Sequence, residues 1–259
     1  MAARRTRRHY QPTRSDAGEV RFRRIVAAEF EGKLILMRRP LSPSSEDDLK
    51  GIVALAEGKP GEAVSTQDLA DRLAVTPAST TAMIKRLHAM HLVEHTRYQG
   101  ASLTEAGRLV ALELIRHHRL LELYLVEALG YPLADAHAEA EQLEHHISED
   151  FEQRIDALLG QPTHDPHGDP IPTPTGELPE RDERPLTELA ADEQALVARV
   201  PDRDAEFLRY LTELGIVPHA AVRVVEIAPF DGPVTLELAG RRVQLGAEAA
   251  RRVLVTAGA

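Results

Sequence analysis

The segment from residue 105 to residue 128 constrains the fold of this chain most strongly, because it is apolar on nearly every side. Thr104 can cap a helix there, and Gly130 follows its end. Such a helix must be buried on most of its surface. In a small domain its easiest partner is a second copy of the chain, so the segment predicts a homodimer. The apolar residues are Leu109, Val110, Leu112, Leu114, Ile115, Leu120, Leu121, Leu123, Leu125 and Val126.

Two short helices and a hairpin are predicted immediately before this segment. The first helix begins at Ser65 or the residue after it, and a brief turn over residues 74–76 follows. Pro77 opens the second helix, a position that proline tolerates well. Residues 92–96 and 101–103 then predict two strands. Two helices joined by a tight turn form a helix-turn-helix, and a hairpin in that place is the wing of a winged helix.

The second of these helices carries small hydroxyl side chains at its N-terminal end, with basic side chains nearby. Hydroxyl groups can contact both phosphates and base edges, and the base-edge contacts read sequence. We therefore predict binding to double-stranded DNA; the alternative is a winged helix that contacts only proteins. The candidate DNA-binding residues are Thr76, Pro77, Ser79, Thr80, Thr81, Lys85, Arg86 and Arg97.

The rest of the chain divides into helical and β-rich parts. Further helices are predicted at about 44–58, 133–146 and 148–159, and a helix at 203–214 is followed by short β-type runs typical of a small SH3-like barrel. The predicted fold class is mainly α with a C-terminal small β-barrel. The predicted domains are a basic extension (1–43), a winged helix-turn-helix (44–104), a helical metal-binding and dimerisation domain (105–160), a proline-rich linker (161–184) and the SH3-like domain (185–259).

Charge and composition limit the possible functions. Residues 1–39 hold 11 Lys and Arg against 4 Asp and Glu, so we expect either a disordered basic tail, a DNA-contacting arm or a mis-assigned translation start. The remainder is strongly acidic, which favours cation binding and weakens the case for DNA. Absence of cysteine excludes disulfides and thiolate metal sites. No apolar run reaches the length of a membrane span, so we expect a cytoplasmic protein without membrane contact.

Histidines and carboxylates recur at helical spacing in the region of residues 118–145. His137, Glu141, Glu144 and His145 share one stripe of a predicted helix, and the preceding helix repeats the pattern with His118 and Glu122. Mixed nitrogen and oxygen donors without sulfur suit manganese, iron(II), cobalt or zinc. We find no Glu-x-x-His, zincin or nucleophile-elbow motif, so a regulatory metal site explains the donors better than a catalytic one.

This order of elements resembles the diphtheria toxin repressor family of metal-dependent transcriptional regulators. The resemblance covers about residues 44–259 and includes the sequence His164-Asp165-Pro166-His167-Gly168-Asp169-Pro170-Ile171-Pro172. It implies a homodimer that binds palindromic operator DNA when loaded with Mn²⁺ or Fe²⁺, a repressor of manganese or iron homeostasis genes, and a C-terminal domain of the FeoA-like type. It also implies that the chain is not an enzyme.

The resemblance further implies two metal sites. The primary site would use Asp47, Glu141, Glu144 and His145, a carboxylate-rich set that is nearer the manganese branch of the family. Lys50 stands where that branch has a second carboxylate on the first helix. A bound dication would reverse the repulsion between the carboxylates and fix the spacing of the two recognition helices.

The ancillary site implied by the resemblance would use His118, Glu122 and His137, with Asp202 or Asp204 as substitutes for missing ligands from the barrel. The 165–169 loop is expected to be structural. Two other functions stay open at this point: a winged-helix regulator with a small organic effector, and a metal-dependent hydrolase that uses the histidine and glutamate cluster. A purely structural metal is a further possibility.

Overall fold

The computed structural model describes residues 28–30, 33–35, 41–56, 63–96, 100–179 and 181–258. In the basic extension, strand β1 (Ala28–Phe30) pairs antiparallel with β2 (Lys33–Ile35). Most of the extension lies outside the described residues. None of the helices in the described ranges combines the length and apolar character that a membrane span requires.

Within the described residues, the predicted winged helix-turn-helix consists of three helices and a two-stranded hairpin. Helix α1 spans Pro43–Leu55, α2 spans Thr66–Arg72 and α3 spans Pro77–Ala89. Strands β3 (Val93–Thr96) and β4 (Gly100–Leu103) pair antiparallel as the wing. The winged helix-turn-helix is therefore confirmed. Helix α1 begins one residue before the predicted range, and the side chain of Ser42 accepts its capping hydrogen bond from the Ser45 amide.

Helix α4 (Glu105–Glu127) joins the winged helix-turn-helix to two further helices, α5 (Leu133–Leu143) and α6 (Glu149–Leu158). Its first half shares a core with α1, and its second half packs against α5 and α6. The expectation that a second copy covers this helix is thus wrong for most of its surface, because neighbouring helices of the same chain bury it. Helix α5 also ends earlier than predicted, so Glu144 is its C-cap and His145 follows in a turn.

Gly107 allows the first turn of α4 to lie close to the backbone of Leu92, which follows α3. A Cβ atom at this position would lie 1.9 Å from the carbonyl oxygen of Leu92. We expect Gly107→Ala to lower the free energy of unfolding by about 2–3 kcal/mol, because backbone would have to move to relieve the overlap. Chemical denaturation measures the change. The exposed Glu105, in the same helical turn, gives the control Glu105→Ala, and equal stability of the two variants would contradict the predicted close approach.

The C-terminal region is a six-stranded antiparallel sheet with two short helices. The strands lie in the order β5-β10-β6-β7-β8-β9, and their inward side chains form a separate core with α7. The sequence analysis did not predict strand β6, because two of its apolar residues are alanines, which strands disfavour. The elements are β5 (Arg184–Pro185), β6 (Gln194–Arg199), α7 (Ala205–Leu214), β7 (Ala221–Ile227), β8 (Val234–Leu238), β9 (Arg241–Leu245), α8 (Ala247–Arg252) and β10 (Leu254–Ala257).

Candidate metal centre

The start of α1 and the end of α5 bring together three of the four residues expected at the primary site. The Nε2 atom of His145 lies 3.1 Å from Asp47 Oδ1 and 3.5 Å from Glu144 Oε1. Glu144 is fully buried. One donor atom from each of the three residues lies within 4.8 Å of the others, an arrangement suited to a metal ion. Asp47 belongs to the winged helix-turn-helix and the other two residues to the helical domain, so this group spans two domains.

Glu46 orients the imidazole of His145. Its Oε2 atom lies 2.6 Å from His145 Nδ1, and its side chain is buried. This contact leaves Nε2 facing Asp47 and Glu144. A carboxylate on the second nitrogen of a metal-binding histidine is a common arrangement, because it fixes the ring and increases its basicity. The sequence analysis did not select Glu46, although its position next to Asp47 in the first turn of α1 was a signal.

Glu141, the fourth expected primary residue, lies in a neighbouring group. Its carboxylate and that of Glu144 are both hydrogen-bonded to the ammonium of Lys50, with Nζ 2.9 Å from Glu141 Oε1 and 2.7 Å from Glu144 Oε1. Lys50 and nearby histidines therefore offset the charge of these carboxylates. The expectation of simple repulsion between three carboxylates in the absence of metal is wrong for this arrangement.

The expected ancillary residues converge between α4 and α5. His118 Nε2 lies 3.0 Å from Glu122 Oε1, and His137 Nδ1 lies 2.9 Å from the same oxygen. From the barrel, Asp202 Oδ2 lies 3.9 Å from His137 Nδ1. Asp204 instead caps α7 by accepting from the Phe207 amide. Of the two substitutes, the structure places Asp202 at the cluster.

The loop after α6 adds a donor group that the sequence analysis treated as structural. Asp165 and His167 face Glu122, and one donor atom from each lies within 4.8 Å of the others. Asp165 Oδ1 accepts hydrogen bonds from the amides of His167 and Asp169, which shape the loop, whereas Oδ2 has no hydrogen-bond partner in the described part of the chain. The repeated Asp and His residues of this loop were the available signal. Its packing against α4 and the barrel could not be deduced from composition alone.

Gly168 lets this loop approach the barrel. Its φ is +93°, and a Cβ atom would lie 1.9 Å from the carbonyl oxygen of Ala198 in β6. The Val200 amide donates to the carbonyl of His167. The stretch expected to be a linker is therefore packed into the structure around residues 165–172, where it joins the helical domain to the barrel.

The group of Glu122, Asp165 and His167 is buried, and its polar atoms test whether a divalent cation fits the site. Burial raises the pKa of Asp165 well above its usual range, and the nearby carboxylates of Glu122 and Asp169 raise it further. Burial would lower the pKa of His167, but Glu122 outweighs it and raises the pKa to about 9. Three buried atoms of this group have no hydrogen-bond partner among the described residues: Asp165 Oδ2, and Glu122 Oε2 and His167 Nδ1, which lie 3.6 Å apart. Buried, unpartnered donors of this kind are what a cation would satisfy.

The candidate DNA-binding residues are only partly exposed as expected. Ser79 is exposed at the start of α3, and Thr76 is the N-cap that accepts from the Ser79 amide. Thr80 is fully buried and its hydroxyl donates to the carbonyl of Thr76, so it is removed from the DNA-contacting set. Arg97 lies outside the described residues. The other expected residues, Pro77, Thr81, Lys85 and Arg86, lie along α3, where Thr81 is half-buried and the rest are exposed.

Comparison with known proteins identifies the family. Three family descriptions match in succession: "Iron dependent repressor, N-terminal DNA binding domain" over residues 40–101, "Iron dependent repressor, metal binding and dimerisation domain" over 104–173, and "FeoA domain" over 184–257. The chain belongs to the iron-dependent repressor family. The repressor is thus a transcriptional regulator and not an enzyme, and it carries the DNA-binding and dimerisation domains of the family.

Individual relatives agree with this assignment. The repressor is 34% identical over 200 residues to the iron-dependent repressor IdeR of Mycobacterium tuberculosis, covering 72% of this chain and 86% of the relative. It is 34% identical over 118 residues to the regulator MntR of Geobacillus kaustophilus, covering 46% of this chain and 82% of the relative. A solved manganese-dependent transcriptional repressor in complex with manganese shares 38% identity with a TM-score of 0.75, covering 83% of this chain and 100% of that one.

Proposed function

We propose that this repressor is a dimer that binds palindromic operator DNA in the cytoplasm when Mn²⁺ or Fe²⁺ is present, and that it controls genes of manganese or iron homeostasis. The observation that carries the proposal is the donor group of Asp47, Glu144 and His145, which joins the DNA-binding region to the helical domain. Oxygen and imidazole donors without sulfur suit both ions, and the carboxylates favour manganese.

The metal would be held by two sets of residues. The primary set comprises Asp47, Glu144 and His145, with Glu141 at its edge. The second set is centred on Glu122, with His118 and His137 on one side and Asp165 and His167 on the other. When bound, the ion supplies a positive charge that holds ligands from separate elements together.

The packing of α1 transmits the effect of metal binding to the DNA-binding surface. Asp47 lies in the first turns of α1, and α1 packs with α2 and α3 in one core. Holding Asp47 against Glu144 and His145 therefore fixes α3 relative to the helical domain. In a dimer this fixes the distance between the two α3 helices, which must match half-sites about 34 Å apart. Metal and operator favour the same arrangement, so each strengthens the binding of the other.

The dimer contact is proposed to include apolar side chains left exposed in the helical domain. Burying such side chains against a second copy is the usual way in which oligomers remove them from water. They lie after α4, at the end of α5 and on α6, and they are Leu129, Tyr131, Leu143, Phe151 and Leu158.

A mobility-shift selection on sheared genomic DNA tests the proposed function. We expect the repressor to retain specific fragments with Mn²⁺, or with Fe²⁺ under anaerobic conditions, and to release them in chelator, because DNA binding requires the metal-bound arrangement. The retained fragments would contain the operator. Circular dichroism in chelator is the control, since a purely structural metal would instead lead to unfolding. Retention of the same fragments in chelator, with the protein folded, would contradict the proposal.

A further inference from the structure

Lys50 occupies an unusual position for a cationic side chain in a metal-binding region. It lies one turn after Asp47 on α1, and its side chain is 11% exposed. Its ammonium donates to Glu141 Oε1 at 2.9 Å, to Glu144 Oε1 at 2.7 Å and to Glu144 Oε2 at 2.9 Å. A compact ammonium with three donors is thus placed on both oxygens of one carboxylate and on one oxygen of the other.

The carboxylates of Glu141 and Glu144 also form a donor group with His118. The three residues each offer an atom within 4.8 Å of the others, as a metal-binding group does. His118 Nδ1 lies 2.6 Å from Glu144 Oε2 and 3.9 Å from Glu141 Oε1. The Lys50 ammonium therefore sits against two of the three members of this group. The adjacent group of Asp47, Glu144 and His145 shares only Glu144 with it.

We propose that Lys50 is a tethered cation that fills the His118–Glu141–Glu144 group and prevents a metal ion from binding there. The inference rests on the proposed function, in which these side chains are metal donors. A fully buried carboxylate such as Glu144 requires a nearby positive charge, because an unpaired buried charge is strongly unfavourable. Lys50 supplies that charge without metal and also links α1 to the end of α5. In the adjacent group, Asp47 and His145 remain available to bind a metal ion.

Uncharged substitutions of Lys50 test this occupancy directly. Lys50→Met keeps most of the side-chain length without the charge, and Lys50→Gln keeps a hydrogen-bond donor for Glu144 as a second variant if the first does not fold. After equilibrium dialysis against Mn²⁺, metal analysis measures the ions bound per chain, with protein quantified by amino-acid analysis. We expect each folded variant to bind one more Mn²⁺ per chain than the wild type, because the vacated donors then accept an ion.

Three further variants locate the additional ion. Lys50→Arg retains the positive charge and should bind as many ions as the wild type. Arg154→Ala removes a positive charge from an exposed position on α6 and should also leave the number unchanged. The double variant Lys50→Met/Glu141→Gln should lose the additional ion, because Glu141 belongs to this group and not to that of Asp47.

The outcomes separate this inference from the proposed function. If the wild type binds Mn²⁺ and responds to it on DNA, but the folded Lys50→Met and Lys50→Gln variants bind no additional ion, the inference alone is wrong. If the wild type binds no Mn²⁺ and its DNA binding does not respond to metal, the proposed function fails and the inference fails with it. An additional ion that persists in the double variant would place it elsewhere and would also overturn the inference.

Discussion

Glu144→Gln is expected to weaken metal-dependent DNA binding by about 100-fold, because the substitution removes the negative charge of a carboxylate that belongs to two metal-donor groups. Glu144 is the one carboxylate common to the group with Asp47 and His145 and the group with His118 and Glu141. It is fully buried and is hydrogen-bonded to both Lys50 and His118. The amide that replaces it is a weaker metal ligand, so α1 would no longer be held against the helical domain by the ion.

The measurement is fluorescence anisotropy with an operator fragment over a range of Mn²⁺ concentrations. Glu139→Gln is the matched control: Glu139 lies on the same helix, and among the described residues it belongs to none of the donor groups. Size-exclusion chromatography should show an unchanged dimer, since the Glu144 side chain is buried within the chain and is not one of the exposed apolar side chains proposed for the dimer contact. A Glu144→Gln variant that responds to Mn²⁺ like the wild type would show that the site has been wrongly assigned.

Glu122→Gln is expected to lower the free energy of unfolding in chelator by about 3 kcal/mol or more, the usual cost of removing one partner from a buried charged network. Glu122 is fully buried and contacts His118 and His137, with His167 Nδ1 3.6 Å from its second oxygen. Burial would raise the pKa of Glu122, but these histidines outweigh it and hold the pKa well below its usual range. The Glu122 carboxylate thus contacts side chains of α4, of α5 and of the loop that reaches the barrel.

Urea denaturation of the metal-free protein measures this loss. His137→Gln is the control, because His137 is partly exposed and its removal leaves the contact between Glu122 and His118 intact. We expect a clearly smaller loss for it. Equal stability of Glu122→Gln and the wild type would mean that the network contributes nothing to the fold, and would contradict the role of Glu122 as the joint between these three elements.

The sequence by itself determined much of the fold. Helical periodicity, capping residues and the turn at residues 74–76 predicted α2, α3 and the wing, because these features act between near neighbours in the chain. The spacing of His118 and Glu122, and of His137 and Glu141, placed each pair on one helix face for the same reason. Short β-type runs after residue 214 likewise predicted strands such as β8 and β9, whose turn includes the left-handed residues Ala239 and Gly240.

Tertiary structure decided which of these donors meet. Lys50 and Glu141 are 91 residues apart, and Glu46 and His145 are 99 apart, so no local pattern could show that they are in contact. The burial of Thr80 also depends on how α3 packs against its neighbours. Metal-binding groups form where separate elements converge, and that convergence is set by core packing between the elements. Local periodicity fixes the direction of a side chain on its own helix, whereas packing determines what it faces.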